Sequence, residues 1–145
     1  MTLKLLAGLV LLLIALALQF SLAAANVYFD FSFAALIAFS LVFGFWELAF
    51  LVLVAVFIIN WQPAVSAEIL VFALFPFAVY FLRNAFRSQP WFLNLVAIFL
   101  GFLALAIAAA PAAFWASWRL FLPDLAAGWL FGTCVFFLLH QWGRD

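Results

Sequence analysis

Apolar positions fall into five long runs, Leu5–Ala25, Phe31–Ile59, Ile69–Leu82, Trp91–Ala110 and Leu125–Leu139, and the polar positions sit in the short segments between them. A helix needs about 20 residues to cross a bilayer core, and fewer where the bilayer thins. Four of the runs therefore each predict one membrane-spanning helix. The second run is 29 residues long, and it can be read as one overlong helix or two short ones. Two residues favour a break in its middle. Gly44 weakens a helix, and Glu47 in an unbroken helix would lie near the bilayer centre, where a carboxylate is costly. A turn over Gly44–Glu47 brings both to a membrane face and makes Trp46 an interfacial anchor.

Charge placement decides between the two readings, because basic residues collect on the cytoplasmic side. With six spans and the N-terminus inside, Lys4, Arg83, Arg87 and Arg144 are cytoplasmic and Arg119 is outside, four of the five basic residues. Five spans leave two of five inside with one orientation and three of five with the other. The expected fold is therefore all-α, a polytopic transmembrane helical bundle of six spans within a single domain, residues 1–145, with both termini cytoplasmic. Helices 2 and 3 must be short. Phe31–Phe43 reaches only about 20 Å as a helix, so this pair needs support from neighbouring spans.

The segments between runs agree with this layout. Asn60-Trp-Gln-Pro63 carries a turn-forming proline. Arg83–Pro90 is the most polar stretch, and Pro90 suits the first turn of helix 5. In Pro111–Asp124, Phe114, Trp115, Trp118 and Phe121 together with Ser117 and Arg119 predict a short helix lying in the interface. The first run follows a single lysine and ends in Ser21-Leu-Ala-Ala-Ala25, which has the look of a cleavage site. Its length, and the membrane character of the rest of the chain, read it as a retained first span.

Composition makes lipid the solvent. Only 7% of residues are charged and mean hydropathy is +1.42, whereas a soluble domain devotes roughly a quarter of its residues to charge. Formal net charge is zero, which removes the argument for nucleic acid or a polyanionic substrate. Cys134 is the only cysteine; with no partner in the chain it is read as a small apolar residue. The 22 phenylalanines suit bulky packing or lipid, and only six glycines predict few tight helix crossings.

Little of this carries chemistry. No nucleophile elbow, zinc-protease, P-loop or dinucleotide fingerprint is present, so no enzyme, cofactor or metal is expected. His140 stands alone, without metal spacing. Glu47 and Glu68 fall on opposite faces and cannot form an acid–base pair; they read as helix-end charges, with Glu47 also able to meet a partner's basic residue. Arg83 and Arg87, four apart, orient the chain and bind anionic headgroups, or dock a cytoplasmic partner. Arg119 completes the candidate partner-binding set. Gln19 and Asn94 lie inside spans and are expected to hydrogen-bond between helices.

These residues together resemble the MreD family of rod-shape-determining membrane proteins. The likeness is one of layout over most of the chain. A Leu-rich first span ends in Leu18-Gln-Phe-Ser21, a short helix leads to a turn at Gly44, and another short helix reaches a turn with Pro63. A fourth helix ends in Tyr80-Phe-Leu-Arg83 and Arg87, and two spans and a basic C-terminus follow. The chain departs from the pattern at Leu51–Ile59 and Asn60-Trp61, which lack the family's glycines and its Leu-Asp pair. The resemblance implies a non-enzymatic scaffold in the bacterial cytoplasmic membrane. Its partners would be MreC, MreB, the RodA glycosyltransferase and a class B penicillin-binding protein. The family's fold is also similar to substrate-binding S components of energy-coupling-factor transporters. That alternative needs an outward polar cavity, for which Asn26, Asp30, Asn60, Gln62, Glu68, Arg119 and Asp124 are the candidates.

Overall fold

In the computed structural model the described residues are 3–60 and 66–142. They form seven α-helices and one 3-10 turn: α1 (Leu3–Ala24), α2 (Phe31–Val42), α3 (Phe45–Ile59), α4 (Ala67–Leu82), α5 (Pro90–Ala109), α6 (Pro111–Ala116), the 3-10 turn Trp118–Leu120, and α7 (Phe121–Trp142). The proline turn at Trp61–Pro63, Gln62 and the basic residue Arg144 lie outside the described residues.

The run Phe31–Ile59 is two helices. α2 stops at Val42, and Phe43 and Gly44 are extended (φ/ψ −91/162 and −74/169) before α3 starts at Phe45. Gly44 adopts an extended backbone conformation open to any residue, so the turn itself does not require a glycine. Glu47, in the first turn of α3, turns its carboxylate back to accept the Gly44 N–H at 3.0 Å. That satisfies an orphan donor and places negative charge at a helix N-terminus.

Three helical stretches, Leu3–Ala24, Pro90–Ala109 and Trp118–Gln141, are long and apolar enough to cross a bilayer, so this is a membrane protein. α2, α3 and α4 have 12, 15 and 16 residues. The shortest of them is the axis of the bundle. Every residue of α2 from Ser32 to Ser40 is at 0% exposure, and the helix packs against α1, α3, α4, α5 and α7. A helix apolar on all sides belongs in an interior. Twelve residues span only about 18 Å, so α2 by itself falls short of a core about 30 Å thick.

Successive long helices reverse direction around this axis. Lys4, at the start of α1, meets Val42 at the end of α2, and Gln19, late in α1, meets Ser32 at the start of α2. Arg83, just past α4, returns to Ser40 and Phe43. Asp124, in the first turn of α7, meets Asp30. One end of the bundle thus collects Lys4, Glu47, Arg83 and Arg87, and the other Asp30, Glu68, Arg119 and Asp124. Among described charges the first end carries three cations and one anion, the second three anions and one cation; they are called the basic and acidic ends below.

Phenylalanine fills the space around α2. Phe33 stacks on Phe72 with centroids 5.3 Å apart and meets Phe75 and Phe102 at 5.9 and 5.7 Å. Glycines make room for these rings. A Cβ on Gly101 would come within 2.8 Å of Phe75, and one on Gly128 within 2.6 Å of Phe102. At these positions the close approach is of a ring to helix backbone. Pro76 sits buried inside α4; lacking an N–H, it leaves the Phe72 carbonyl without its usual helical donor.

Other boundaries moved. α7 begins at Phe121, four residues before the apolar run at Leu125. The expected interfacial helix is broken at Ser117 into α6 and the 3-10 turn, and Trp115 and Trp118 remain 74% and 52% exposed. The expectation for Asn94 is corrected outright. It is 1% exposed in α5, yet neither side-chain Nδ2 nor Oδ1 has a hydrogen-bond partner among the described residues. The α5–α7 tie is made one position on, where Trp129 Nε1 donates to the Leu95 carbonyl at 2.9 Å.

Candidate functional site

The polar side chains that reach the interior gather at the two ends of α2, where a buried helix leaves backbone donors and acceptors unpaired. At the acidic end the α1–α2 connection is closed by a helix cap. Asn26 adopts φ 59, and the Val27 and Asn26 N–H groups donate to the Leu22 and Ala23 carbonyls at 2.9 and 3.0 Å. This is the αL cap that asparagine tolerates, so Asn26, a candidate for an outward cavity, ends a helix instead.

From there the chain enters α2 through a network of shared acceptors. Gln19 Oε1 accepts from both the Ser32 N–H and the Ser32 hydroxyl, at 3.2 and 2.7 Å. Its Nε2 donates to Asp30 Oδ1 at 3.4 Å. The Asp30 N–H donates to Asp124 Oδ1 at 3.2 Å. Three helices are tied through residues far apart in the chain. Gln19 thus fulfils the expectation of interhelical bonding that Asn94 does not. Beside this network lies a cavity of about 210 Å³, with Gln19, Asp30, Ser66 and Glu68 in its lining and Ile59 and Phe72 closing it. Ser66 caps α4 by accepting the Ile69 N–H at 3.3 Å.

Asp30 stands in the connection before α2, and its carboxyl is pushed up to about 7. Burial is the main cause, followed by the like charges of Asp124 and Glu68. Its folded value lies above its unfolded value of 3.8, so protonated Asp30 contributes stability that is complete below about pH 4 and lost as pH rises through about 7. The melting temperature of the purified protein should therefore fall between pH 5 and pH 8. Asp30→Asn, which keeps an acceptor for Gln19 without the charge, should flatten that fall and melt higher than the parent at pH 8. An unchanged slope in the variant would assign the pH dependence to other groups.

At the basic end the last carbonyls of α2 receive cations from two other helices. Arg83 NH1 donates to the Phe43 and Ser40 carbonyls at 2.6 and 3.3 Å, and Lys4 Nζ donates to the Val42 carbonyl at 3.1 Å. Cations at a helix C-terminus are favoured by the helix dipole. The Arg83 guanidinium also stacks over Tyr80 at 4.1 Å, and Lys4 Nζ lies 5.6 Å from the Phe43 ring centroid. α2 has no basic residue in its own last turn, so nothing local in the sequence announces this cap.

The structure separates the four candidate partner-binding residues. Glu47, Arg83 and Arg87 share the basic end, while Arg119 is at the acidic end, 6.0 Å from the Trp118 ring. Arg83 is half-buried and turned onto α2, whereas Arg87 is exposed. Glu47 and Glu68 open α3 and α4 at opposite ends of the bundle. His140 stacks on Phe136 with centroids 5.3 Å apart. Cys134 is exposed on α7. Among the described residues no group of three or more His, Cys, Asp or Glu side chains could hold a metal ion.

The pairing of Asp30 with Asp124 and the Lys4 cap were not legible in the chain, since each joins segments with no shared motif. The one available signal was a polar residue, Gln19, in an otherwise apolar run. No family model, curated protein or solved structure matches the chain.

Proposed function

We propose that the chain is a six-span subunit of the bacterial cytoplasmic membrane, both ends cytoplasmic, that acts as a non-enzymatic scaffold of the wall-elongation machinery in the manner of MreD-like proteins. The observation that carries the scaffold reading is the filled interior. With α2 sheathed on every side from Ser32 to Ser40, the centre of the bundle is packed with side chains rather than hollowed for a ligand. What is left to recognise a partner is the outer helix faces and the two ends. The six-span reading draws support from the alternation of helix direction and from the gathering of Lys4, Arg83 and Arg87 at one end, which the charge rule makes cytoplasmic. A short α2 is compatible with it, because protein rather than lipid surrounds its backbone and other helices cap its ends.

A second reading has one specific observation in its favour. Asp30 and Glu68, two of the residues a substrate-binding transporter subunit would use, do face a common cavity. At about 210 Å³ it is smaller than the roughly 300–1,000 Å³ of typical small-molecule sites, and Gln19 is committed to α2. The scaffold is therefore preferred.

Affinity purification of the tagged protein in mild detergent, with mass spectrometry of what co-purifies, separates the two. The scaffold reading expects an MreC-like protein, RodA or a class B penicillin-binding protein. Recovery of a pair of ATPases with a coupling membrane subunit would replace it with the transporter reading.

A further inference from the structure

We propose that the basic end holds a binding site for a phosphate-bearing anion, in a pocket formed by the end of α2, the Arg83–Gln89 connection and the start of α5. The pocket encloses about 380 Å³, and Val42, Arg83, Asn84, Arg87, Pro90 and Leu93 are in its lining. That volume admits a phosphate with a small polar substituent. No carboxylate is among the residues that line it, so two arginines line the space without an anion built into its wall.

Arg83 is held in place before any ligand arrives. Two α2 carbonyls fix NH1 and Tyr80 supports the face of the group. Only NH1 is engaged in these bonds, and a guanidinium carries five N–H donors in a planar fork matched to phosphate oxygens. A group positioned in this way loses little side-chain freedom on binding. Arg87, four residues further along in the turn after α4, supplies a second, exposed cation. Asn84 adds an amide that can donate to the same anion. The 20-residue α5 opens at this pocket with Pro90 at its first position, so its partial positive charge adds to the field.

The setting selects among phosphate sources. Phe86 in the lining, and Trp91 and Phe92 next to Pro90 in the chain, are 44%, 52% and 45% exposed, the kind of aromatic girdle that marks the headgroup level of a bilayer. Basic pockets between spans on the cytoplasmic side are where anionic headgroups bind. A phospholipid headgroup would leave its acyl chains along the apolar helices, whereas free phosphate would gain nothing from them. The site does not depend on which complex the chain joins.

The test is native mass spectrometry of the full chain released from detergent, titrated separately with phosphatidylglycerol, phosphatidylcholine and inorganic phosphate. The parent protein is expected to retain phosphatidylglycerol above phosphatidylcholine. Arg87→Gln, which removes a cation that α2 does not use, should weaken that retention about fivefold, one basic residue's share. Arg119→Gln, at the far end, should leave it unchanged. Displacement of phosphatidylglycerol by inorganic phosphate in the parent but not in Arg87→Gln would place the phosphate group itself in this pocket. Retention of inorganic phosphate alone, lost in Arg87→Gln, would support the site with free phosphate as its source. Equal retention by the parent and Arg87→Gln, or equal loss in Arg119→Gln, would overturn the proposal.

Discussion

Replacing Gln19 with leucine should destabilise the purified protein by about 2–6 kcal/mol, at roughly 1–3 kcal/mol for each of the two buried donors left unpaired. Gln19 Oε1 is the acceptor for both the N–H and the hydroxyl of Ser32, and Ser32 has no solvent exposure. Leucine matches the apolar surroundings and removes a polar side chain from a membrane helix, so by hydropathy alone the change should be favourable. The geometry reverses that sign, because the donors it strands belong to the first turn of the most enclosed helix. Removing one of them should recover part of the loss. Gln19→Leu with Ser32→Ala should be more stable than Gln19→Leu alone, read as a rise in the melting temperature in detergent. If the single variant melts with the parent, the α1–α2 network does not hold the start of α2.

Gly132→Leu is expected to destabilise the native bundle. A Cβ at this position would stand 2.6 Å from Ile98 Cδ1, 3.3 Å from the Ala34 carbonyl oxygen and 3.4 Å from the Ala34 Cβ. Ile98 can turn aside, but Ala34 is backbone of a helix enclosed on all sides. The change gains about 1 kcal/mol of helix propensity. Against this, extra methylenes forced into a packed core cost roughly 1–3 kcal/mol in strain, and occasionally more. A leucine brings four carbons to a site with room for none, so strain wins. Gly44→Ala is the contrasting case. Its Cβ would meet only Glu47 Oε2, at 3.6 Å, and the substitution should stay within about 1 kcal/mol of the parent, the range of N-cap changes. Size-exclusion profiles of the two variants check the contrast. A monodisperse Gly132→Leu protein with the parent's melting temperature would show that α7 does not approach α2 as closely as described.

How much of this was visible in the chain depends on how local its cause is. The division of Phe31–Ile59 into two helices was legible because Gly44 and Glu47 are three residues apart, and a helix start is made by neighbours. The mechanism was only half read. Gly44 was credited for its weak helix propensity and Glu47 for its cost in lipid, while the Glu47 carboxylate on the Gly44 N–H is what the structure adds. Ser117 went unread as a helix break for a similar reason, since aromatic residues on both sides suggested continuity. Asn94 was assigned a bond because a polar side chain inside a span is expected to bond to a neighbouring helix. Its surroundings are set by packing around α5, and packing has no local signature.

The sequence by itself determined the solvent and the segment plan. A chain with 7% charged residues and mean hydropathy +1.42 has too little polar surface to face water, and run lengths with their flanking charges mark where helices begin and end. Only the tertiary structure decided which helix is central and what its ends require. α2 reads like any other apolar run, yet it is the one that lipid does not see. Burial takes away most of the solvent partners for its terminal amides and carbonyls, and side chains from distant segments supply them instead. Gln19 and Asp124 do this at one end, and Lys4 and Arg83 at the other. Those pairings span up to 94 positions of sequence, and no pattern within a run can encode a contact that only the closing of the bundle creates.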